Sequence, residues 1–203
     1  MKSALIIFVR NPVLGKVKTR IAKDLGDSVA LEIYKRLLSH THSITKDLAV
    51  DRYVFYADFI NHNDLWKNEA YKKELQTGIN LGERMKNAFD LLLKKGYRRV
   101  AIIGSDCFDL TKSIIEEAME ALEKKQVVIG PSFDGGYYLL GMTIFIPQLF
   151  ENKNWSTESV YYDTIRDLSN LNYSCHLLPP LSDVDNGEDC KKYEALISLS
   201  YQH

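Results

Sequence analysis

Four cationic side chains lie close together near the start of the sequence. They surround one glycine in residues 10–20, between an apolar run and a segment with helical character. Guanidinium, ammonium and backbone N–H groups bind phosphate oxygens, and glycine allows a ligand to approach the backbone closely. A solvated basic turn is the alternative, but the arrangement indicates a site for a phosphate chain. The residues predicted to bind phosphate are Arg10, Gly15, Lys18, Thr19 and Arg20.

A second chemical feature is the carboxylate of Asp106, which follows the buried run 99–104. Carboxylate oxygens are preferred ligands of Mg²⁺ and Mn²⁺, and these ions also bridge to phosphate oxygens. The alternative is that Asp106 caps a following helix, but Asp109 or Thr111 is better placed for that role. The sequence therefore favours Asp106 as a metal ligand.

Two further carboxylates, Asp183 and Asp185, follow the last predicted strand. We expect them to point in opposite directions, so that only one faces the ligand. Asp185 could then complete a metal site with Asp106. Helix capping is an equal alternative, because Asp185 and Asn186 precede the final predicted helix.

A glycine-rich segment, residues 130–141, contains a third candidate acid, Asp134. Its Asp-Gly pair is a strong hairpin signal, so the segment is predicted to turn. Gly135 and Gly136 would let a substrate lie against the backbone beside Tyr137. Asp134 could accept hydrogen bonds from sugar hydroxyls or act as a general base. Trp155 precedes a predicted helix and could stack on the substrate, although a packing role is more common for tryptophan.

Residues 76–84 place amide and carboxylate groups beside two glycines. Helix capping explains much of this pattern, because Asn80 and Glu83 have the spacing of a capping box. A role facing the base or ribose of a nucleotide is the alternative, and it would use Gln76, Gly82 and Glu83.

These candidate residues lie in a chain whose apolar runs alternate with helical patterns. Strands are predicted at residues 4–10, 53–57, 99–104, 127–130, 137–142 and 173–178. Helices are predicted at residues 28–48, 80–95, 111–125, 156–171 and 187–200. The alternation predicts a mainly parallel sheet covered by helices on both faces, in one domain over residues 1–203. In such sheets ligands bind beyond the carboxyl ends of the strands, which is where these motifs are expected.

Composition argues against several other classes of function. The 203 residues have a formal net charge of −1, so nothing predicts binding to nucleic acid or to an anionic membrane. The three cysteines are too far apart for a disulfide framework or a zinc site, and no apolar run reaches the length of a membrane span. We expect a cytoplasmic protein. Walker, G-x-G-x-x-G and G-x-S-x-G patterns do not occur.

Six motifs follow one another along the chain. They are Phe-x-Arg-x-Pro-x-x-Gly-x-x-Lys-Thr-Arg at 8–20, Leu-Gly-Glu-Arg-Met at 81–85, Gly-Ser-Asp at 104–106, Gly-Pro-Ser-x-Asp-Gly-Gly-Tyr-Tyr at 130–138, Trp-Ser-Thr at 155–157 and Asp-Val-Asp at 183–185. The ordered set covers nearly the whole chain and resembles a bacterial family of GT-A-like transferases. That family is described as nucleotide-diphospho-sugar transferase-like, or as a transferase associated with radical SAM and selenium-related genes.

The resemblance implies a three-layer α/β/α, Rossmann-like GT-A fold. By it, the phosphate-binding loop would be Arg10, Lys18 and Arg20, the metal-binding aspartate Asp106, and the second metal-facing carboxylate Asp185. The implied cofactor is Mg²⁺ or Mn²⁺, and the implied partners are a nucleotide or nucleotide sugar and a small-molecule acceptor. One departure is that residues 105–107 read Ser-Asp-Cys, not the usual Asp-x-Asp.

Three functions are consistent with these residues. In a glycosyltransferase, the metal and the basic loop would stabilise the diphosphate that leaves a nucleotide sugar, with Asp134 as the base. In a nucleotidyltransferase, a phosphorylated substrate would attack an NTP and release pyrophosphate, while Lys18 and Arg20 neutralise the developing charge. The third is a non-catalytic nucleotide-binding module. We expect the first, and the residues do not specify the base, sugar, acceptor or oligomeric state.

Overall fold

Seven strands form the central sheet of the computed structural model, which describes residues 2–193 and residue 196. Their bounds are Ser3–Val9 (β1), Asp51–Tyr56 (β2), Lys72–Leu75 (β3), Arg99–Ile103 (β4), Val127–Pro131 (β5), Tyr137–Met142 (β6) and Cys175–Leu177 (β7). The order across the sheet is β3-β2-β1-β4-β6-β5-β7. Only β6 runs antiparallel to its neighbours, β4 and β5, so the sheet is mainly parallel as expected.

Helices cover both faces of this sheet. Their bounds are Thr19–Leu25 (α1), Asp27–Thr45 (α2), Lys112–Ala121 (α4), Leu81–Lys94 (α3), Val160–Asn170 (α5) and Gly187–Lys191 (α6). Side chains of α2 and α4 belong to the hydrophobic cluster on one face, and side chains of α3 and α5 belong to the cluster on the other. The expected three-layer α/β/α fold is confirmed.

Strand β1 shows why the central strands read as continuous apolar runs. Leu5 and Ile7 pack into the cluster on the side of α2, while Ala4 and Ile6 pack into the cluster on the side of α3. Because both faces of the strand are covered, successive residues are all excluded from water and no polar alternation can develop.

Three elements were absent from the predictions: strand β3, helix α1 and a short 3-10 helix at Pro147–Phe150. For the first two the physical reasons differ. Strand β3 has the sequence Lys-Lys-Glu-Leu and lies at the edge of the sheet, where charged residues are tolerated and hide the strand pattern. Helix α1 has only seven residues and begins at Thr19, within the basic segment 10–20. A short helix of this kind lacks a periodic apolar stripe long enough to recognise.

Four predicted helices differ from the structure by three residues or more. The helix predicted at 28–48 ends at Thr45, with Lys46 as its C-cap. The helix predicted at 111–125 ends at Ala121, because backbone turns at residues 122–125 lead into β5. The helix predicted from residue 156 begins only at Val160, since Ser156 has a left-handed backbone with φ of 64°. The last helix is described over Gly187–Lys191, and residues 194, 195 and 197–200 of its predicted span lie outside the described residues.

Strand direction brings the candidate motifs to one edge of the sheet. Since β6 is antiparallel to both β4 and β5, the carboxyl ends of β1, β4 and β5 all face the same way. The segment after β7 joins them, because the backbone N–H of Val184 donates to the carbonyl of Asp106 at 2.9 Å. Separately, no helix in the described part of the chain has the length and apolarity needed to cross a bilayer.

Candidate functional site

A cleft of about 1580 Å³ opens at this edge of the sheet. The predicted site residues that line it are Arg10, Lys18, Thr19, Arg20, Gln76, Asp106, Asp134, Gly136, Tyr137, Trp155 and Asp185. The other predicted residues, which are Gly15, Gly82, Glu83 and Gly135, are not part of its lining. The sequence motifs therefore converge on a single cavity, although they come from distant parts of the chain.

The centre of the cleft is an ion-pair network around Lys18. Its Nζ lies 3.1 Å from Oδ2 of Asp106 and 3.1 Å from Oδ1 of Asp185. The Lys18 side chain is only 8% exposed, whereas the two carboxylates are 41% and 37% exposed. The exposed guanidinium of Arg20 lies 3.4 Å from the second oxygen of Asp185, Oδ2. Helix capping does not use Asp185, since Asn186 caps α6 in a capping box with Asp189.

The backbone and the charge state of Lys18 are both unusual. Its φ of 45° and ψ of 48° lie in the left-handed region, which non-glycine residues adopt rarely and often at functional sites. Burial lowers the pKa of the ammonium, but Asp106 and Asp185 outweigh this effect, so the pKa lies above its usual range. Lys18 is therefore a fixed cation between two carboxylates.

Two buried polar side chains hold the beginning of the basic loop (residues 10–20) in place. The hydroxyl of Tyr34 accepts from the N–H of Arg10 at 2.8 Å and donates to its carbonyl at 3.1 Å. The amide of Asn11 donates to the carbonyl of Phe59 at 2.9 Å and accepts from the N–H of the same residue at 3.3 Å. The side chains of Arg10 and Lys16 make no ion pair within the described residues and are exposed. The loop thus presents free cations from a fixed backbone.

Asp183 is a cleft residue that the sequence prediction left out. The expectation that only one carboxylate of the Asp-Val-Asp motif faces the ligand is wrong, because both Asp183 and Asp185 line the cleft while Val184 is buried. Side chains two residues apart in an extended segment lie on the same side, so the spacing of Asp183 and Asp185 itself places both carboxylates on one face. Oδ1 of Asp183 is buried and has no hydrogen-bond partner in the described chain.

The raised pKa of Asp183 is predicted to change how the stability of the protein depends on pH. Burial and the nearby Asp106 and Asp134 raise the pKa of Asp183 to about 8, whereas an unfolded aspartate titrates near pH ~3.9. Between these values the folded protein binds a proton that the unfolded chain has released, so stability falls as the pH rises. We expect the free energy of unfolding of Asp183→Asn, relative to that of the wild type, to rise by about 1 kcal/mol or more between pH 5 and pH 8.5.

Urea denaturation in the presence of EDTA measures this difference. Asp58→Asn, at an exposed aspartate outside the cleft lining, is the control and should show the wild-type dependence of stability on pH. An Asp183→Asn variant whose stability keeps the wild-type dependence on pH would contradict the assignment.

The glycine-rich turn is organised by Asp134 itself. Oδ1 of Asp134 accepts from the hydroxyl of Ser132 and from the N–H of Gly136, so only Oδ2 is free for a ligand. Gly135 has a φ of 87°, and its carbonyl accepts from the N–H of Tyr161 at 2.8 Å. The predicted hairpin turn is therefore formed, and the same turn holds Asp134 in the cleft. The turn and the proposed substrate-binding role of this segment are compatible.

Tyr137 and Trp155 are two of the aromatic residues that line the cleft. The hydroxyl of Tyr137 is buried without a hydrogen-bond partner among the described residues, and this burial raises its pKa. Trp155 stacks against Phe150 with ring centroids 6.5 Å apart. A Cβ at Gly82 would lie 2.1 Å from Nε1 of Trp155, so Gly82 is explained by the packing of the indole against α3. A nucleotide contact at Gly82 stays a prediction.

The group of Gln76, Arg84 and Glu83 shows how residues 76–84 are used. Nε2 of Gln76 donates to the carbonyls of Val9 and Phe55, and the guanidinium of Arg84 donates to the carbonyl of Gly78. Glu83 accepts from the N–H of Ile79, and Asn80 caps α3. The N-cap at Asn80 is therefore confirmed, but the reciprocal half of the predicted capping box is not formed, because Glu83 accepts from Ile79 and not from the N–H of Asn80. Arg84, which lines the cleft, is a cation that the predicted site residues did not include.

The residues present fit a divalent metal ion if phosphate oxygens complete its coordination. Oxygens of Asp106 and Asp185 already converge on one cation, the ammonium of Lys18. Within the described residues, no group of three or more His, Cys, Asp or Glu side chains is placed to hold a metal ion. Mg²⁺ commonly binds through one or two carboxylates together with substrate phosphates, which matches this donor set.

The fold of this chain is that of the nucleotide-diphospho-sugar transferases and cytidylyltransferases. Residues 40–157 match the family described as "Uncharacterized protein conserved in bacteria (DUF2064)", and the chain belongs to this family. The expected membership of a bacterial family with a GT-A-like fold is thereby confirmed. No curated protein matches the chain.

Three solved structures illustrate the likeness. A candidate nucleotide-diphospho-sugar transferase from Desulfovibrio desulfuricans G20 is 31% identical with a TM-score of 0.84, over 92% of this chain and 84% of that chain. The inositol-1-phosphate CTP transferase from T. maritima is 13% identical with a TM-score of 0.58, over 100% and 97% of the two chains. Rv0371c from Mycobacterium tuberculosis H37Rv, solved with manganese, is 6% identical with a TM-score of 0.55, over 95% and 97%. The last two show the fold alone.

Proposed function

We propose that the protein is a nucleotide-using transferase whose basic loop binds the phosphates of the nucleotide. The observation that supports this most directly is the contact of Lys18 with both Asp106 and Asp185 inside a cleft at the carboxyl ends of the strands. Exposed cations of the same loop, Arg10 and Arg20, line that cleft. Cations beside carboxylates suit a ligand that brings both phosphate and metal. The 31% identical relative is named as a candidate nucleotide-diphospho-sugar transferase, and such a sugar carries phosphates.

The donor that we propose first is a nucleotide-diphosphate sugar. The acceptor hydroxyl attacks the anomeric carbon, the bond from that carbon to the diphosphate oxygen breaks, and the diphosphate leaves with the electron pair. Oδ2 of Asp134, the free oxygen of that carboxylate, takes the proton of the acceptor. Arg10 and Arg20 bind the leaving diphosphate. Mg²⁺ or Mn²⁺, held by Asp106 and Asp185, would supply Lewis-acid stabilisation of the diphosphate charge.

Nucleotidyl transfer is the second candidate, and the charge of the basic loop favours it. Arg10, Lys16 and Arg20 all line the cleft with exposed side chains, and a triphosphate has more charge to neutralise than a diphosphate. A phosphate oxygen of the second substrate would attack the α-phosphorus of the NTP, and pyrophosphate would leave with the electron pair.

Product analysis distinguishes the two reactions. Thermal denaturation with NTPs, NDPs and NDP-sugars, each with and without Mn²⁺, first identifies the nucleotide that stabilises the protein. Release of a free NDP from an NDP-sugar supports glycosyl transfer, whereas release of pyrophosphate from an NTP supports nucleotidyl transfer. Stabilisation by a nucleotide without turnover of any acceptor would favour the binding module, and no stabilisation by any nucleotide would overturn the proposal.

We also propose that residues 1–203 act as one transferase domain, because one sheet and one cleft use residues from near both ends of the described chain. The small-molecule acceptor belongs to the same proposal, and the cytoplasmic location stays a prediction from composition.

A further inference from the structure

The ammonium of Lys18 lies where the carboxylates of Asp106 and Asp185 converge. Its Nζ is 3.1 Å from one oxygen of each. Oxygen atoms bind Mg²⁺ at about 2.0–2.1 Å, so a metal ion contacting the same two oxygens would need the space that the ammonium occupies. Lys18 and a divalent ion therefore cannot use this pair of oxygens at the same time.

Movement of the ammonium away from the two carboxylates is costly unless another anion replaces them. The Lys18 side chain is 8% exposed, and a buried charge is costly unless it is paired. The cleft beside it is lined by Arg10, Lys16 and Arg20, so phosphate groups would concentrate within reach of the loop. A phosphate chain can thus replace the carboxylates as the partner of Lys18.

We propose that Lys18 excludes divalent metal ions from Asp106 and Asp185 until the phosphates of a nucleotide draw its ammonium away, so that metal and nucleotide bind only together. This inference rests on the proposed nucleotide binding and adds a rule for the order of events at the same site. The small number of acidic ligands agrees with it, since no group of three metal-binding side chains is found in the described chain.

Thermodynamic linkage gives the proposal a measurable consequence. If phosphates release the carboxylates for the metal, they must raise the affinity for metal by the same factor by which metal raises the affinity for phosphates. In a variant without the ammonium, the metal should bind without waiting for phosphate, and the coupling factor should shrink.

The decisive measurement is the binding of Mn²⁺ alone, followed by the loss of the electron paramagnetic resonance signal of free Mn²⁺. We expect Lys18→Met to bind Mn²⁺ at least about tenfold more tightly than the wild type. Lys16→Met removes a cation of the same loop that contacts neither carboxylate, and Lys18→Arg keeps a cation at the position. Both should bind Mn²⁺ like the wild type. The double variant Lys18→Met/Asp106→Asn should lose the gain, which locates the new binding at this pair.

Two results would overturn the proposal. One is a Lys18→Met variant that binds Mn²⁺ no more tightly than the wild type, and the other is an equal gain in Lys16→Met. If Lys18→Met is too unstable to titrate, Lys18→Gln replaces it. In either variant, added Mn²⁺ should raise the midpoint of thermal unfolding more than in the wild type, because it restores a cation between the carboxylates.

Titration of Mn²⁺ in the presence of pyrophosphate then tests the coupling. Pyrophosphate should raise the affinity of the wild type for Mn²⁺ by at least about tenfold more than that of Lys18→Met. Equal effects on the two proteins would contradict the coupling. Failure of every nucleotide in the thermal panel, with the gain for Mn²⁺ alone intact, would refute the proposed function and leave the exclusion of metal by Lys18 in place.

Discussion

Replacement of Asp106 by asparagine is expected to lower the rate of transfer by at least about 100-fold and to abolish the stabilisation that Mn²⁺ adds to nucleotide binding. The amide keeps the shape of the side chain but removes one of the two charges that face Lys18. A metal ion would then have a single charged ligand, Asp185, from this pair. The measurement is the nucleotide-dependent shift in the unfolding midpoint with and without Mn²⁺, followed by turnover of the nucleotide so identified.

Asp109→Asn is the matched control for this prediction. Asp109 lies three residues further along the same segment, is exposed, and accepts a hydrogen bond from the hydroxyl of Tyr193 at 2.7 Å. It is not part of the cleft lining, so its loss should leave the metal-dependent shift unchanged. Wild-type turnover in Asp106→Asn with Mn²⁺ present would refute the role of Asp106.

Gly135→Ala is expected to destabilise the folded protein by about 3 kcal/mol or more, which lowers the unfolding midpoint by roughly 6–12 °C in a chain of this size. Two costs add at this position. The φ of 87° is unfavourable for a residue with a Cβ, and that Cβ would lie 2.2–2.6 Å from backbone atoms of Glu158. A backbone segment cannot change rotamer to relieve the contact as a flexible side chain can. The glycine-rich turn and the segment before α5 would therefore have to move apart.

A second glycine separates the two costs. Gly96 has the same φ of 87°, but nothing lies within 4 Å of a Cβ added there. Gly96→Ala should therefore cost only about 1–2 kcal/mol, which is the backbone term alone. Chemical denaturation of both variants gives the difference. Equal destabilisation by the two substitutions would show that Glu158 moves freely and that the turn is not fixed against α5.

The parts of the fold that sequence predicted are those with local signals. The apolar runs of β1 and β4 and the caps Asn80 and Thr111 are determined by neighbouring residues, and the structure confirms them. Charged β3 was missed because an edge strand does not need an apolar pattern. The antiparallel insertion of β6 between β4 and β5 depends on pairing between distant segments, which no local pattern specifies.

The candidate site likewise contains features with a local sequence signal and features that depend on distant segments. The motifs containing Lys18, Asp106 and Asp185 could be recognised one at a time, but their contact is made across the fold and is visible only in the structure. The partner of Gly82 is Trp155, from a distant loop, so its tight packing has no local signature. Asp183 is a different case, since strand parity alone would have placed it beside Asp185.

The hydrogen bond from Val184 to the carbonyl of Asp106 has a consequence for how the protein matures during synthesis. Asp185 follows every strand of the sheet, so a chain emerging from the ribosome can pair all seven strands before it acquires the second carboxylate. Such a chain would contain most of the two hydrophobic clusters on the faces of the sheet but only half of the ion-pair network. Ligand binding would then distinguish a chain that includes Asp185 from one that stops between β7 and Asp185, even where their strands are alike.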